Sequence, residues 1–314
     1  MVKVALYEDR NMTDPRIAEG VGAAREYFES LAANAAIDFV YVPFDPDKFE
    51  PVRDADWAVL WGTCDSESKH KKGIQRRAQV VRFHRAAGHG TVCIEVGFLD
   101  RGRHYSIGLN DICGYGDYSP NVPTDHPLPR IPIDVRKRRA EPTSAESPVL
   151  LCGQVPYDVQ IRKIDYMSWL DSTLSGIRKH ANGRPVVFRP HPKLKPRHRE
   201  QMLEWAARRK VKVSEGGDAS RDIDAAFCVV AYNSNALLEA VMRRVPIVCL
   251  GPGSVVDSLS NKSLKNIRNL RMPCFDEIWS RVAEVTHYQW TADEIRKGRP
   301  LRWIAERPPR PEND

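Results

Sequence analysis

The strongest constraint on this chain is an alternation. Short apolar runs at Val2–Tyr7, Ile37–Val42, Trp57–Trp61 and Thr91–Val96 have the length of buried strands, and Ala18–Ala33 between the first two has the spacing of a helix. A second series follows. Val149–Cys152, Val186–Phe188, Val211–Val213, Ala226–Val230 and Ile247–Leu250 predict strands, and Asp165–His180, His198–Arg209 and Asn235–Arg244 predict helices. Strands that alternate with helices form parallel sheets through right-handed crossovers. The expected fold is therefore α/β, with two Rossmann-like domains whose parallel sheets face a central cleft. Tyr118–Pro148 is proline-rich, contains the run RKRR and lacks a period, so the linker is expected there.

The domains expected are 1–145 and 146–285, followed by a terminal segment 286–314. In that segment Thr291 and Glu294 have capping-box spacing, and the chain after Pro308 is expected to be loosely ordered.

Composition narrows the function classes. A hydrophobic content of 42% is enough for a core in each domain, which removes disorder as the default. The 48 Lys and Arg exceed the 41 Asp and Glu by 7, a bias toward nucleotides, polyanions or anionic surfaces. Seven cysteines, an odd number without a CxxC pair, fit neither a disulfide framework nor a zinc knuckle and point to a reducing cytoplasm. No segment reaches the ~18 apolar residues needed to cross a bilayer, so a protein that is soluble and not secreted is expected.

Ligands of open parallel sheets bind beyond the carboxyl ends of the strands. The loop VVFRPHPKLKPRHRE follows one such strand. Prolines restrict the backbone on both sides of His191, while Arg189, His191 and Lys193 alternate and could converge on a phosphate. A solvated basic turn is the plain alternative. In VVAYNSNALLEAVMRRVPIVCLGPGS, Asn233, Ser234 and Asn235 precede a helix, either as simple caps or as an anion site. Gly251, Gly253 and Ser254 then form a turn where backbone can approach a ligand closely. No Walker sequence GK[ST] is present.

These residues resemble bacterial capsule polysaccharide glycosyltransferases of the Kdo-transferase type, and more loosely the GT-B sialyltransferases that use CMP-sugars. IEVGFLDRGRHYSIGLN is similar to the family's EDGF stretch, with Val96 in place of a second acid and the arginine, Arg101, shifted by one. CGQVPYDVQI is similar to the stretch that opens the nucleotide-binding half and places Gln154 and Asp158. RPHP matches the HP motif, and the serine loop with Glu239 and Pro246 matches the pattern S, EA, PV. The resemblance implies that His191 and Ser234 hold the phosphate of a nucleotide sugar with Arg189 nearby, and that Glu95 is the general base. It also implies a reaction that needs no bound metal or other cofactor, a terminal segment 286–314 that crosses back so that Trp303 and Ile304 pack on the first domain, and closure about the linker that brings Glu95 toward His191.

The acceptor is expected on the N-terminal half. There Lys69, Lys72 and Arg76 belong to a dense basic stretch, Thr63–Arg85, which is otherwise a solvated helix face. Together with RKRR and with Lys262, Lys265, Arg268 and Arg271, that stretch could grip a nucleic-acid backbone. Trp61, Tyr105, Phe98, Tyr115 and Tyr118 could stack on a displaced base or equally pack a core. The favoured acceptor is a hydroxymethylated base in phage DNA, which would place the protein in the host cytoplasm and favour UDP-sugars. A capsule or lipid-linked glycan with a CMP-sugar is the alternative. A nucleotide-sugar epimerase, for which Asp65, Glu67, Asp100 and Asp117 offer acids, and a non-catalytic nucleotide- or nucleic-acid-binding protein remain open.

Overall fold

The computed structural model describes residues 1–9, 14–44, 50–62, 72–125, 128–139, 143–156, 158–161, 164–214 and 216–306. In chain order the elements are β1 (Lys3–Asp9), α1 (Pro15–Ala33), β2 (Asp38–Phe44), β3 (Trp57–Trp61), α2 (Lys72–Ala86), β4 (Gly90–Val96) and β5 (Tyr105–Leu109). Then follow β6 (Val149–Cys152), α3 (Tyr166–His180), β7 (Val186–Arg189), α4 (Pro196–Arg208), β8 (Lys212–Val213), α5 (Ala219–Ala225), β9 (Cys228–Ala231), α6 (Ala236–Met242) and β10 (Ile247–Cys249). The chain ends with α7 (Phe275–Thr286), β11 (Gln289–Trp290), α8 (Ala292–Arg296) and α9 (Arg302–Glu306). It divides into two compact units, Met1–Arg130 with Glu284–Asp314, and Ile131–Ala283.

The first unit has a six-stranded sheet of order β11-β5-β4-β3-β1-β2. Strands β1 to β4 are parallel, as their apolar runs predict. The sheet as a whole is mixed, because β5 runs antiparallel to β4 and β11 antiparallel to β5. The stretch joining β4 to β5 is far shorter than the dozen or so residues of a crossover, so the chain can only turn back. Helix α1 starts where Asp14 accepts from the Arg16 N–H at 3.1 Å and Pro15 presets the first turn. Its buried face, with Val21, Ala24 and Phe28, packs on the sheet. Gly20 faces Tyr105 so closely that an added Cβ would lie 2.8 Å from the ring.

Trp290, Ile295, Leu301, Trp303 and Ile304 belong to this same core. Trp303 meets Trp57 edge-on at 5.3 Å, and the capping box of Thr291 and Glu294 opens α8. Arg130, the last residue of the N-terminal segment, locks onto this return segment. Its guanidinium pairs with Glu294 at 2.6 Å and lies 4.1 Å over the Trp290 ring, and its N–H reaches Thr286 Oγ1 at 2.8 Å.

The second unit is a fully parallel five-stranded sheet of order β10-β9-β6-β7-β8. Its core gathers Leu151, Phe188, Val230, Leu170, Ile177 and Trp205. The strand order places the loops after β10, β9, β6 and β7 side by side at one edge. Among the described residues no helix is long and apolar enough to cross a membrane. The chain beyond Pro308 lies outside the described residues.

Candidate functional site

Buried amides tie three of the four loops at that edge together. Gln154 Nε2 donates to Asn233 Oδ1 at 2.6 Å, and the Asn233 N–H returns a bond to Gln154 Oε1 at 3.1 Å. Asn233 Nδ2 then donates to the carbonyls of Gln160 at 2.9 Å and Pro252 at 2.8 Å. The Gln154 N–H is taken up by the hydroxyl of Tyr166 at 2.6 Å. Gln154 and Asn233 are 6% and 4% exposed, so both build the site rather than offer free donors to a ligand. Asp158 plays a related part, accepting from the Gln160 N–H at 3.0 Å inside the same loop.

The HP loop follows β7. His191 Nδ1 accepts from the Lys193 N–H at 3.1 Å, and the Leu194 N–H closes the turn on the His191 carbonyl at 3.2 Å. A backbone N–H can only donate, so Nδ1 carries no proton and the neutral ring is a donor through Nε2. Leu194 anchors the turn in the core, and Lys193 stays exposed.

Arg189 sits beside Cys152 in the sheet register, with its guanidinium already engaged. It bonds Ser214 Oγ at 3.0 Å and Asp222 at 2.5 Å, and the Gly217 carbonyl as well. Ser214 and Asp222 escaped the sequence reading, as did Tyr166. The one available signal was the triplet Asp222-Ile223-Asp224, an Asp-x-Asp pattern. Both of its carboxylates are held by arginines here, Asp222 by Arg189 and Asp224 by Arg136 and Arg243. Of the two other such triplets, Asp54-Ala55-Asp56 is bound by Lys3, whose N–H donates to Asp56 at 2.7 Å and whose Nζ donates to Asp54 at 2.9 Å, and Asp45-Pro46-Asp47 lies outside the described residues. Among the described residues no group of three His, Cys, Asp or Glu side chains could hold a metal ion.

Ser234 Oγ accepts from the Ala236 N–H at 3.3 Å, and Asn235 occupies the cap position of α6 without a side-chain capping bond. Glu239, in the first turn of α6, pairs with Arg243 at 3.1 Å. Burial raises its carboxyl above the usual range, and Arg243 opposes that rise. Gly251 is small for a reason unrelated to a ligand: a Cβ there would lie 2.5 Å from the Tyr232 ring. Gly253 has φ +86°, the left-handed region that favours glycine. Ser254 is buried, its hydroxyl turned to the Val256 N–H at 3.4 Å.

In the first unit Glu95 stands near the carboxyl end of β4, where Oε1 accepts from the Val96 N–H at 2.8 Å. Gly62, with φ +66°, lies beside its other oxygen, which a Cβ there would approach to 3.5 Å. Arg16, fixed to Asp14 by two bonds of 3.1 and 2.7 Å, is close enough for the Glu95 charge to favour its protonated form.

The expected acceptor residues fare differently. Trp61 and Tyr105 are core side chains, 5% and 4% exposed, packed edge to face at 6.2 Å, with the Tyr105 hydroxyl bound to Glu19 at 2.6 Å. Phe98 and Tyr118 are likewise buried, Tyr118 stacked on Tyr288 at 4.0 Å. These four pack a core, the alternative that the sequence left open for them, and Tyr115 is half-buried. Arg101 is exposed. Lys69 lies outside the described residues, as do the side chains of Lys72 and Arg76, whose backbone belongs to α2.

Two other basic groups are also turned to structural use. In RKRR, Arg136 binds Asp224 at 2.7 Å and Arg139 binds the carbonyls of Ala226 and Phe227, because the strand entering β9 leaves those acceptors open. Lys262 and Arg271 pair with Asp257 and Glu277, and Arg268 donates to the His180 carbonyl at 3.0 Å. The charge surplus is not on the N-terminal half. The second unit has 26 Lys and Arg against 16 Asp and Glu, while the first has 22 against 25.

No protein-family model matches the chain, and no curated protein matches it in sequence. Among solved structures it is similar to the β-Kdo 2,4-transferase of Thermosulfurimonas dismutans KpsC, at 15% identity over 89% of both chains with a TM-score of 0.50. The β-Kdo 2,7-transferase of KpsC from the same organism gives 12% identity over 96% of this chain and 99% of that one, with a TM-score of 0.49. A UDP-GlcNAc 2-epimerase of Methanocaldococcus jannaschii, solved with UDP-GlcNAc and UDP, gives 10%, 90%, 98% and 0.33 in the same terms. The first of these likenesses establishes the fold, two Rossmann-like domains of the GT-B kind, and nothing finer.

Proposed function

We propose that this chain is a glycosyltransferase that moves a sugar from a nucleotide-sugar donor, held by the second unit, to an acceptor hydroxyl. The observation that carries the proposal is the HP loop at the carboxyl edge of a fully parallel sheet, where the Lys193 N–H fixes His191 as an Nε2 donor. Glycosyl transfer leaves a nucleotide phosphate with growing negative charge, and a preset donor beside lysine stabilises that charge as it develops. Gln154 and Asn233 hold the neighbouring loops so that Ser234 and Glu239 meet the phosphate and the ribose. Glu95 is the carboxylate assigned to take the acceptor proton. The phosphate charge is met by protein donors in this reading, and no metal is assigned to it.

For the acceptor, a glycan hydroxyl with a CMP-sugar donor is favoured over a hydroxymethylated base in phage DNA. Of the aromatic residues that would stack on an extruded base, Trp61, Phe98, Tyr105 and Tyr118 are buried, and within RKRR Arg136 and Arg139 are engaged by Asp224 and by the carbonyls of Ala226 and Phe227. The buried free thiols Cys93, Cys152, Cys228 and Cys249 suit a reducing cytoplasm, where we place the reaction.

The test is a thermal-shift screen of wild type and His191→Ala against CMP, UDP, GDP and ADP and their sugar conjugates. Ligand bound only by the native state raises the melting temperature by mass action. One nucleotide should stabilise the wild type, and the shift should vanish in His191→Ala. Free nucleotide should then appear only when a glycan acceptor is added. Turnover of the donor without acceptor would favour an epimerase, and silence with all four nucleotides would overturn the reading.

A further inference from the structure

A ladder of alternating charge leads away from Glu239. Its Oε1 accepts from Arg243 Nε at 3.1 Å, one turn further along α6. Arg243 Nη1 donates to Asp224 Oδ2 at 2.9 Å. Arg136 closes on the same carboxylate as a fork, Nη1 to Oδ1 at 2.7 Å and Nη2 to Oδ2 at 3.3 Å. The Arg136 N–H also donates to the Met242 carbonyl at the end of α6, at 2.9 Å. The four side chains are between 21% and 37% exposed, enough to be partly desolvated and too little to be plain surface pairs. The segment by which the chain enters the second unit is thus fastened to the helix that carries the candidate nucleotide carboxylate.

We propose that Arg136 is a positioning residue for donor binding, acting through Asp224 and Arg243 to fix the orientation and charge of the Glu239 carboxylate that receives the ribose hydroxyls. This inference rests on the donor-site reading above. As it stands the ladder is neutral, two cations against two anions, and of the other charges that act on Glu239, Asp218 favours its protonated form while Arg189 opposes it. Without the Arg136 charge, Asp224 leans on Arg243 more strongly and draws it from Glu239. The Glu239 carboxylate then loses the donor that orients it and the cation that keeps it ionised, and a carboxylate binds two hydroxyls well only when ionised and held in one plane. A fork to one carboxylate is geometry that lysine cannot reproduce.

The experiment uses the full chain as wild type, Arg136→Met, Arg136→Lys, Glu239→Gln and the Arg136→Met/Glu239→Gln double variant. The probe is whichever of CMP, UDP, GDP or ADP shifts the wild type most, titrated calorimetrically from pH 5 to 8. Arg136→Met should weaken binding about tenfold and move its acid limb to higher pH, since loss of a nearby cation favours the protonated carboxyl. Arg136→Lys should recover part of the affinity. The double variant should bind no more weakly than Glu239→Gln alone, because both changes remove one contact. An Arg136→Met protein with a lower melting temperature but wild-type affinity and acid limb overturns the inference, and so does simple additivity in the double variant. A wild type that binds none of the four nucleotides, or a Glu239→Gln protein that binds as wild type does, refutes the donor-site reading itself and the inference with it.

Discussion

Asn233→Ala isolates what holds the candidate site together. The substitution removes the two Nδ2 bonds to the carbonyls of Gln160 and Pro252 and the bond Oδ1 accepts from Gln154, while the backbone bond to Gln154 Oε1 survives. Three bonds at about 1 kcal/mol each, with a further penalty for the buried Gln154 amide left without an acceptor, give a loss of about 3–5 kcal/mol. That is a large part of the ~5–15 kcal/mol that keeps a domain folded. At about 2–4 °C per kcal/mol for a unit of this size, the melting temperature should fall by about 10 °C. Asn233→Asp should do no better, since it keeps an acceptor for Gln154 but sets a carboxylate against two carbonyl oxygens. Thermal unfolding followed by circular dichroism measures both. A fall of less than about 2 °C in Asn233→Ala would refute the claim that this amide braces the loops.

Two further outcomes test separate parts of the structure. Gly251→Ala should destabilise the second unit even with no ligand present, because its Cβ would meet the Tyr232 ring at 2.5 Å; equal melting temperatures for variant and wild type would show that the ring moves aside freely. In the first unit burial, aided by His89, lowers His84 from 6.5 to about 4. A depressed histidine contributes stability that is complete above pH 6.5 and declines as pH falls toward 4, so His84→Gln should flatten the dependence of stability on pH in that window, measured by urea unfolding at each pH.

The parallel strands β3, β4, β6, β9 and β10 were legible because they are buried on both faces and therefore written as unbroken apolar runs. Strands β5 and β11 were not. Tyr105–Leu109 contains Ser106 and Gly108, and Gln289–Trp290 is only two residues long, so neither has a period to detect. Helix α7, with Phe275 stacked near Trp279, was passed over among the basic loops before it. At the site, the strand-end loops could be located from sequence because proline, glycine and histidine punctuate them. The roles of their side chains could not. Gln154, Asn233 and Arg189 are chemically able to grip a phosphate, and only the partners supplied by distant residues, Gln160, Asp222 and Pro252, commit them to the scaffold instead.

That commitment bears on how the second unit can be so basic and still hold one well-defined edge. Its surplus of ten positive charges is not a uniform field over the surface, because several arginines are turned inward against carbonyls and aspartates. Arg136, Arg139, Arg189 and Arg243 each fix a loop or a strand entry. In the HP loop and the first turn of α4, Lys193, Lys195, Arg197 and Arg199 follow His191 with no acid in the first turn of the helix. Cations at a helix N-terminus oppose the helix dipole, so this arrangement weakens the helix it occupies. Local conflicts of that kind are retained where a function requires them, and a phosphate resting on His191, as proposed above, would ease this one by adding negative charge at that end of the helix.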